Sequence, residues 1–434
     1  MKKNGFTLVE ITVCVVLLVT IFLLVVPKVN TMINNKKKNA YNSLISTVKD
    51  AAQAYVYLNV NIVDDAIESQ GYYEVSIRTL QENELLENKL ENPLTGKNIP
   101  STSIVKIIKN NEEYIYKFSL DYQYLLEHII DLYSSEETRI SNGLKKDNTP
   151  DQNIRYYGSD PNNYVSFNNG LWRIIGVFGN NVKLVRSEKL GDLSWDSSAS
   201  SVNNGWGVNE WSQSALKNYL NTMYYGGTSV TCYNGQNKKE VTCPTGIIDE
   251  TAKTLIDNYT WNTGAITWND ATIVNQEAGE LKTIPFYNAE RGSVNGKICT
   301  GGSICNDTVE RTTTWTGYVG LPYVTDWAYA SSESVCETNM WDGDIDTTHG
   351  RFNMTCKNNN WMHRSNNTWY LSPCTYSFSD GASHVWNVGN MGYVSFGSAA
   401  YTYAVVPSIY LKSNVLIESG AGTSSNPYIL KAGD

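Results

Sequence analysis

The chain has 434 residues, with 34 Lys and Arg against 43 Asp and Glu, a formal net charge of −9. That length provides for two or three domains with ample core. The negative balance argues against a sequence-independent nucleic-acid binder, which needs a basic face to neutralise phosphates, so no nucleic-acid partner is expected. With 18% charged and 12% aromatic residues, the composition also excludes a largely disordered chain.

In chain order, Lys2 and Lys3 precede a nearly unbroken apolar run. Phe6 to Val26 is 21 residues, interrupted by Thr7, Glu10, Thr12 and Thr20. A membrane span needs about 20 such residues. A secretory signal peptide has a shorter apolar region and a small-residue cleavage site, whereas Pro27-Lys28-Val29 follows here, so the span is expected to be retained. Glu10 is costly in hydrocarbon and calls for a partner. No basic residue occurs between Lys3 and Lys28, which makes a neighbouring subunit the economical source. Counting Lys2 and Lys3 against Lys28, Lys36, Lys37 and Lys38 would, taken alone, put the carboxyl side in the cytoplasm.

Beyond Pro27, Ile33, Ala40, Leu44, Val48, Ala51, Tyr55 and Leu58 recur at helical spacing. Residues 6–59 thus read as one helix, membrane span 6–26 included, with a length on the order of 80 Å. Residues 60–133 read as a small head. In it, Ser76 caps a helix carrying Ile77, Leu80 and Leu85, and Asn92-Pro93 closes it. Ile104–Lys109 and Tyr114–Phe118 form a predicted hairpin, and Leu125, Leu126, Ile129, Ile130 and Tyr133 mark another helix. The polar stretch 134–153 is the expected linker.

Residues 154–434 form a large module. Trp172–Phe178 and Val182–Ser187 flank Gly179-Asn180-Asn181 as a hairpin, and Ser212 is expected to start a helix with Leu216, Leu220 and Met223 on one face. Further strands are expected at 313–324, 368–372, 384–395 and 403–412. Without βαβ alternation, the predicted class is α+β: a long amino-terminal transmembrane and amphipathic helix, a small head, and a large loop-rich α+β domain.

Seven of eight cysteines lie beyond residue 231. Cys232/Cys243 and Cys299/Cys305 enclose short loops and suit disulfides, two of Cys336, Cys356 and Cys374 suit a third, and Cys14 sits in the span. No Cys-x-x-Cys spacing suggests zinc or redox chemistry; disulfide staples outside the cell fit better. Asp342, Asp344 and Asp346 place carboxylates at alternate positions, as a Ca²⁺ loop does. Thr347 stands where the turn glycine belongs and no Glu closes the loop, so a solvated acidic turn is expected, with calcium on these ligands as the alternative. No other cofactor is expected.

The four histidines, His128, His349, His363 and His384, form no His-x-x-x-His pair, and no nucleophile elbow, P-loop or dinucleotide fingerprint occurs. No enzyme activity is expected. Paired carboxylates for glycoside hydrolysis would meet in space rather than in sequence. The Trp and Tyr wealth suits either a sugar-stacking surface or core and loop anchors.

Lys2-Lys3-Asn4-Gly5-Phe6-Thr7-Leu8-Val9-Glu10 resembles the processing site of type IV pilins and pseudopilins. The resemblance implies cleavage between Gly5 and Phe6 by a prepilin peptidase, removing the leader 1–5, and N-methylation of Phe6. It implies that Glu10 pairs with the terminal amine of an adjacent subunit, and that Pro27 marks where family helices bend or melt. It sets the carboxyl side outside, because that peptidase works on the cytoplasmic face.

The carboxyl-terminal module resembles one of uncharacterised function in surface proteins and large pilin-like proteins of Gram-positive bacteria. The resemblance rests on Asn163-Tyr164-Val165 leading into Leu171-Trp172-Arg173-Ile174-Ile175-Gly176, on Trp211-Ser212 with Leu220-Asn221, and on Tyr323 through Ser331. It continues at Trp369-Tyr370-Leu371-Ser372, at Val406 through Lys412, and at Gly420 through Tyr428. Such modules are distantly similar to C-type-lectin-like folds, which by itself assigns no function.

Together these imply a single-pass protein of the cytoplasmic membrane that joins other pilin subunits in an extracellular pilus or at the cell surface. Its module would be displayed for adhesion to a surface or glycan ligand. The alternatives are a pseudopilin of a secretion or DNA-uptake machine and a pilus-tethered glycan-acting enzyme.

Overall fold

Residues 39–58 are helical, α1, in the computed structural model. The structure describes residues 36–432 except 38, 94–95, 97, 100, 102, 111–112, 120–122, 269, 295–296, 299–311, 342, 347–350 and 376–382. The chain divides into two compact units, Met1–Gln123 and Tyr124–Asp434.

In the first unit α1 buries Val48, Ala51, Ala52, Tyr55 and Val56, the stripe that its three-and-four spacing places on one face. Asn59 breaks the helix at φ −129°, ψ 29°, and its side-chain amide donates to Tyr55 O at 2.9 Å. Helix α2, Val60–Gln70, ends on left-handed Gly71 (φ 84°), whose N–H donates back to Ile67 O. Strand β1, Tyr73–Ser76, leads into α3, Ile77–Glu82, where Ser76 Oγ caps by accepting from Thr79 N at 3.0 Å. Strands β2, Ile104–Asn110, and β3, Glu113–Ser119, complete an antiparallel sheet of order β1-β2-β3. Val75, Ile77, Leu80, Val105 and Ile107 close the core against α1.

The second unit opens with α4, Leu125–Ser134, and α5, Glu136–Ser141. Strands β4, Leu144–Lys146, β5, Ile154–Tyr156, β6, Tyr164–Phe167, β7, Gly170–Phe178, β8, Asn181–Arg186, and β9, Gly191–Leu193, follow. After a long loop-rich stretch come α6, Thr283–Glu290, β10, Val319–Gly320, and α7, Val324–Tyr329. The chain closes with β11, Thr368–Thr375, β12, His384–Val388, β13, Val394–Ser398, β14, Tyr403–Val405, β15, Ser408–Leu411, β16, Val415–Ser419, and β17, Tyr428–Ala432.

Two sheets result. One runs β10-β15-β8-β7-β6-β17-β16, with β5 joining β4 to β7; the other runs β9-β14-β11-β12-β13. Ile266–Thr267 adds to β11 in parallel. Seven tryptophans, among them Trp172, Trp261 and Trp369, are fully buried, so most of the tryptophan content is core. At Gly176 the β7–β8 register shifts. A Cβ there would collide with Ile154 O, so glycine permits the close approach of β5.

The α+β expectation headed by one long transmembrane helix is corrected. The protein is a mixed α/β molecule with many strands and few helices, and no helix among the described residues is long and apolar enough to cross a membrane. Residues 6–26 lie outside the described residues. Local sequence misleads on class because strands far apart in the chain pair in parallel, Tyr428 opposite Val165 and Thr368 opposite Ala404, without the local βαβ signal.

The unit boundary also falls before the expected linker. Leu125 and Ile129 of α4 are buried in the second unit's core. Within 134–153, α5 and β4 form and Asp147 is buried. Ser214, rather than Ser212, caps the short helix Ala215–Asn218, which continues as a π-helical turn through Tyr225.

Candidate ligand-binding site

The second unit carries an open hollow of about 370 Å³ beside the edge strand β9. Three neighbouring strands position it. Strand β9 pairs antiparallel with β14, Asp192 opposite Ala404 and Leu193 opposite Tyr403, while β14 meets β11 in parallel at Ala404 and Thr368. Asp192, Thr402 and Tyr403 line one side. Ser365, Asn366 and Asn367, which lead into β11, line the other, and Asn390 from the β12–β13 turn completes it.

Asn367 is the hub. Its carbonyl accepts from Ala404 N at 2.9 Å and its Oδ1 accepts from Asn390 N at 3.2 Å. The Asn390 turn is held by Gly389 N donating to Tyr393 O (2.9 Å) and by Gly392 at φ 79°. Burial raises the Tyr403 phenol above its ordinary pKa, with a side-chain hydrogen bond from Asn367 opposing, so Tyr403 presents a neutral hydroxyl at pH 7.

An aromatic row continues from the hollow. Ring centroids lie 5.7 Å apart for Trp206 and Tyr401, 5.9 Å for Tyr401 and Tyr403, and 4.5 Å for Tyr403 and buried Trp369. Tyr401 is 44% exposed. Gly397 makes room for the row, since a Cβ there would stand 2.9 Å from the Tyr401 ring and 3.2 Å from the Tyr403 hydroxyl. Among the described residues Asp192 is the one carboxylate of the lining, and Lys189 Nζ sits 2.6 Å from it. A single carboxylate does not supply the pair that glycoside hydrolysis uses. Amides, hydroxyls and an aromatic face instead suit binding.

A second polar cluster lies wholly inside. Lys183 on β8 is 0% exposed, with Nζ 2.6 Å from Asp326 Oδ2 on α7. Arg155 on β5 donates from Nη1 to Asp326 Oδ1 (2.7 Å) and from Nε to Asp147 Oδ2 (2.6 Å). Burial pushes Lys183 down to about 8 against the pull of Asp326. Burial works to raise Asp326, but Lys183 and Arg155 outweigh it and hold the carboxyl below its ordinary value. Glu290, at the end of α6, is pushed up to about 7 by burial, with Arg291 and Thr325 opposing. Lys183, Arg155, Asp326 and Asp147 are paired with one another and tie α7 to two strands of the larger sheet.

Neither cluster is marked in the sequence by a motif. The hollow is assembled from separate stretches of chain, each an ordinary polar loop or a short strand. Lys183 does leave a signal, a cation inside the apolar run Val182–Val185.

Gly5, Phe6, Glu10 and Pro27, like Cys299 and Cys305, lie outside the described residues. Cys232–Cys243 and Cys336–Cys356 are disulfides, with Cα–Cα distances of 5.2 and 5.5 Å. Cys374 is buried in β11, its thiol directed at Thr375 O. Asp344 and Asp346 stand opposite Asn353 and Arg351 in an antiparallel pair of strands rather than in a loop, and Asp342 lies outside the described residues. Among the described residues no group of three or more His, Cys, Asp or Glu is arranged to hold a metal ion. No family model, curated protein or solved structure matches the chain.

Proposed function

We propose that the chain is a type IV pilin-like cell-surface subunit, cut after Gly5 by a prepilin peptidase and assembled with other pilin subunits through its amino-terminal segment. The observation that carries this reading is the run Lys2 to Glu10 continuing into apolar sequence through Val26. The apolar segment would hold the protein in the membrane before assembly, and Glu10 would pair there with the amine of a neighbouring Phe6. The second unit supports an exported location, because disulfides persist in oxidising compartments. Its open polar hollow supports adhesion or another binding task.

Co-expression with a prepilin peptidase tests the reading. Mass spectrometry should find a chain beginning at N-methylated Phe6. Glu10→Gln should leave cleavage intact and abolish incorporation into filaments. An uncut chain, or full incorporation of the Glu10→Gln variant, refutes it.

A further inference from the structure

We propose that the hollow beside β9 is a binding site for neutral oligosaccharides; this deepens the preceding reading, in which the second unit is displayed outward for binding. Three features converge on that chemical class. The Asn367 amide is engaged with Asn390 N and Tyr403, while the amides of Asn366 and Asn390 and the hydroxyls of Ser365 and Thr402 can both donate and accept hydrogen bonds. Vicinal sugar hydroxyls do the same, whereas a purely apolar ligand would leave these groups desolvated and unpaired.

The second feature is the aromatic face. Tyr401 is 44% exposed and packed edge to face against Trp206 and tilted against Tyr403. A ring so packed offers a flat apolar surface for the C–H face of a pyranose at little cost in side-chain entropy.

Charge is the third. Recognition of a carboxylate, sulfate or phosphate calls for a guanidinium or ammonium facing the ligand. Among the described residues the lining holds no cation, and Asp192 already carries Lys189. Arg364, next in sequence to Ser365, directs Nη1 to Ser187 O and Nη2 to Arg186 O (2.9 Å) and is held inward. Lys189 is already paired with Asp192, so an anionic glycan would find no unpaired cation among the described residues of the lining. The volume of about 370 Å³ falls within the roughly 300–1,000 Å³ range of small-ligand sites. The Asn367 bonds to Ala404 and Asn390 fix the hollow before any ligand arrives.

The test uses the full chain in detergent, with N-acetylglucosamine tetramer and maltotetraose as neutral probes and sialyllactose as the acidic one. Titration calorimetry and saturation-transfer NMR read the binding. At least one neutral probe should bind saturably, with transfer to its ring C–H protons, and sialyllactose should bind more weakly. Tyr401→Ala and Asn390→Ala should each weaken binding about tenfold or more. Tyr401→Phe, which keeps the ring, should retain it. Absence of saturable binding by both neutral probes overturns the proposal. So does preference for sialyllactose, or wild-type affinity in both alanine variants. Amino-terminal processing followed on the same preparation separates the two ideas: sugar binding by a chain that is never cut refutes the pilin reading alone, and a processed chain that ignores both neutral probes refutes this one alone.

Discussion

Glu290 shows how a single buried side chain writes a pH dependence into the molecule. Its carboxyl is 0% exposed. Oε1 accepts from Thr325 N (3.3 Å) and Ser372 Oγ (3.4 Å), Oε2 accepts from Thr325 Oγ1 (2.5 Å), and Arg291 Nη1 stands 3.7 Å off. Those contacts offset burial only in part, and the pKa rises from 4.5 to about 7. A carboxyl raised on folding stabilises the fold fully below its unfolded value, and that contribution is lost as pH climbs through the folded value. Raising the pH from 4.5 to 7 should therefore remove stability on the order of 3 kcal/mol from the second unit. Glu290→Gln keeps the shape and the hydroxyl partners but cannot ionise, so the slope of its urea midpoints over this window should flatten. An unchanged slope would assign the effect elsewhere. Asp326, next to Thr325 on α7, behaves oppositely because two cations face it directly, and it stays ionised.

Between elements, the contact of α4 with β17 carries a device of the other sign. His128 Nε2 and Tyr428 Oη share a 2.9 Å hydrogen bond, and the rings meet edge to face at 5.4 Å. Burial depresses the imidazole from 6.5 to about 4. A base depressed on folding contributes stability present above its unfolded value and lost as pH falls through the folded one. Acidification from 6.5 to 4 should loosen this clasp by on the order of 2 kcal/mol, allowing for its partial exposure. In His128→Phe that acid-side loss should vanish, measured by hydrogen exchange of α4 amides against pH. Persistence of the loss would exclude His128 as its source. The two windows overlap, so the single variants are needed to separate them.

This element also shows what can be read in advance. The positions Leu125 and Ile129 announce a helix with a buried face, as Asn110-Asn111 and Gly179-Asn180-Asn181 announce the β2–β3 and β7–β8 pairings. The surface that α4 covers is invisible in sequence, because it is built by β-strands from both ends of the second unit. The same limit hides the hollow. Asp192, Asn367, Asn390 and Tyr403 converge through the β9-β14-β11 pairing, and no periodicity along the chain encodes a parallel bridge between Thr368 and Ala404.

At the scale of the whole molecule, the described residues form two hydrophobic cores that share no residue, one built on α1 and the β1-β2-β3 sheet and the other on the two larger sheets. Separate cores unfold as separate cooperative units when their stabilities differ. Cys232–Cys243 and Cys336–Cys356 both lie in the second unit, bridging separations of 11 and 20 residues. Each is worth about 2–4 kcal/mol when it restricts the unfolded chain. Calorimetry should resolve two endotherms, the larger belonging to the second unit because it exposes more apolar surface. Reductant should lower only the larger endotherm, by several degrees, and leave the smaller in place. Replacing Cys232 and Cys243 together by serine should reproduce part of that shift under oxidising conditions. A single endotherm, or a reductant shift shared equally by both, would mean that the two cores unfold as one.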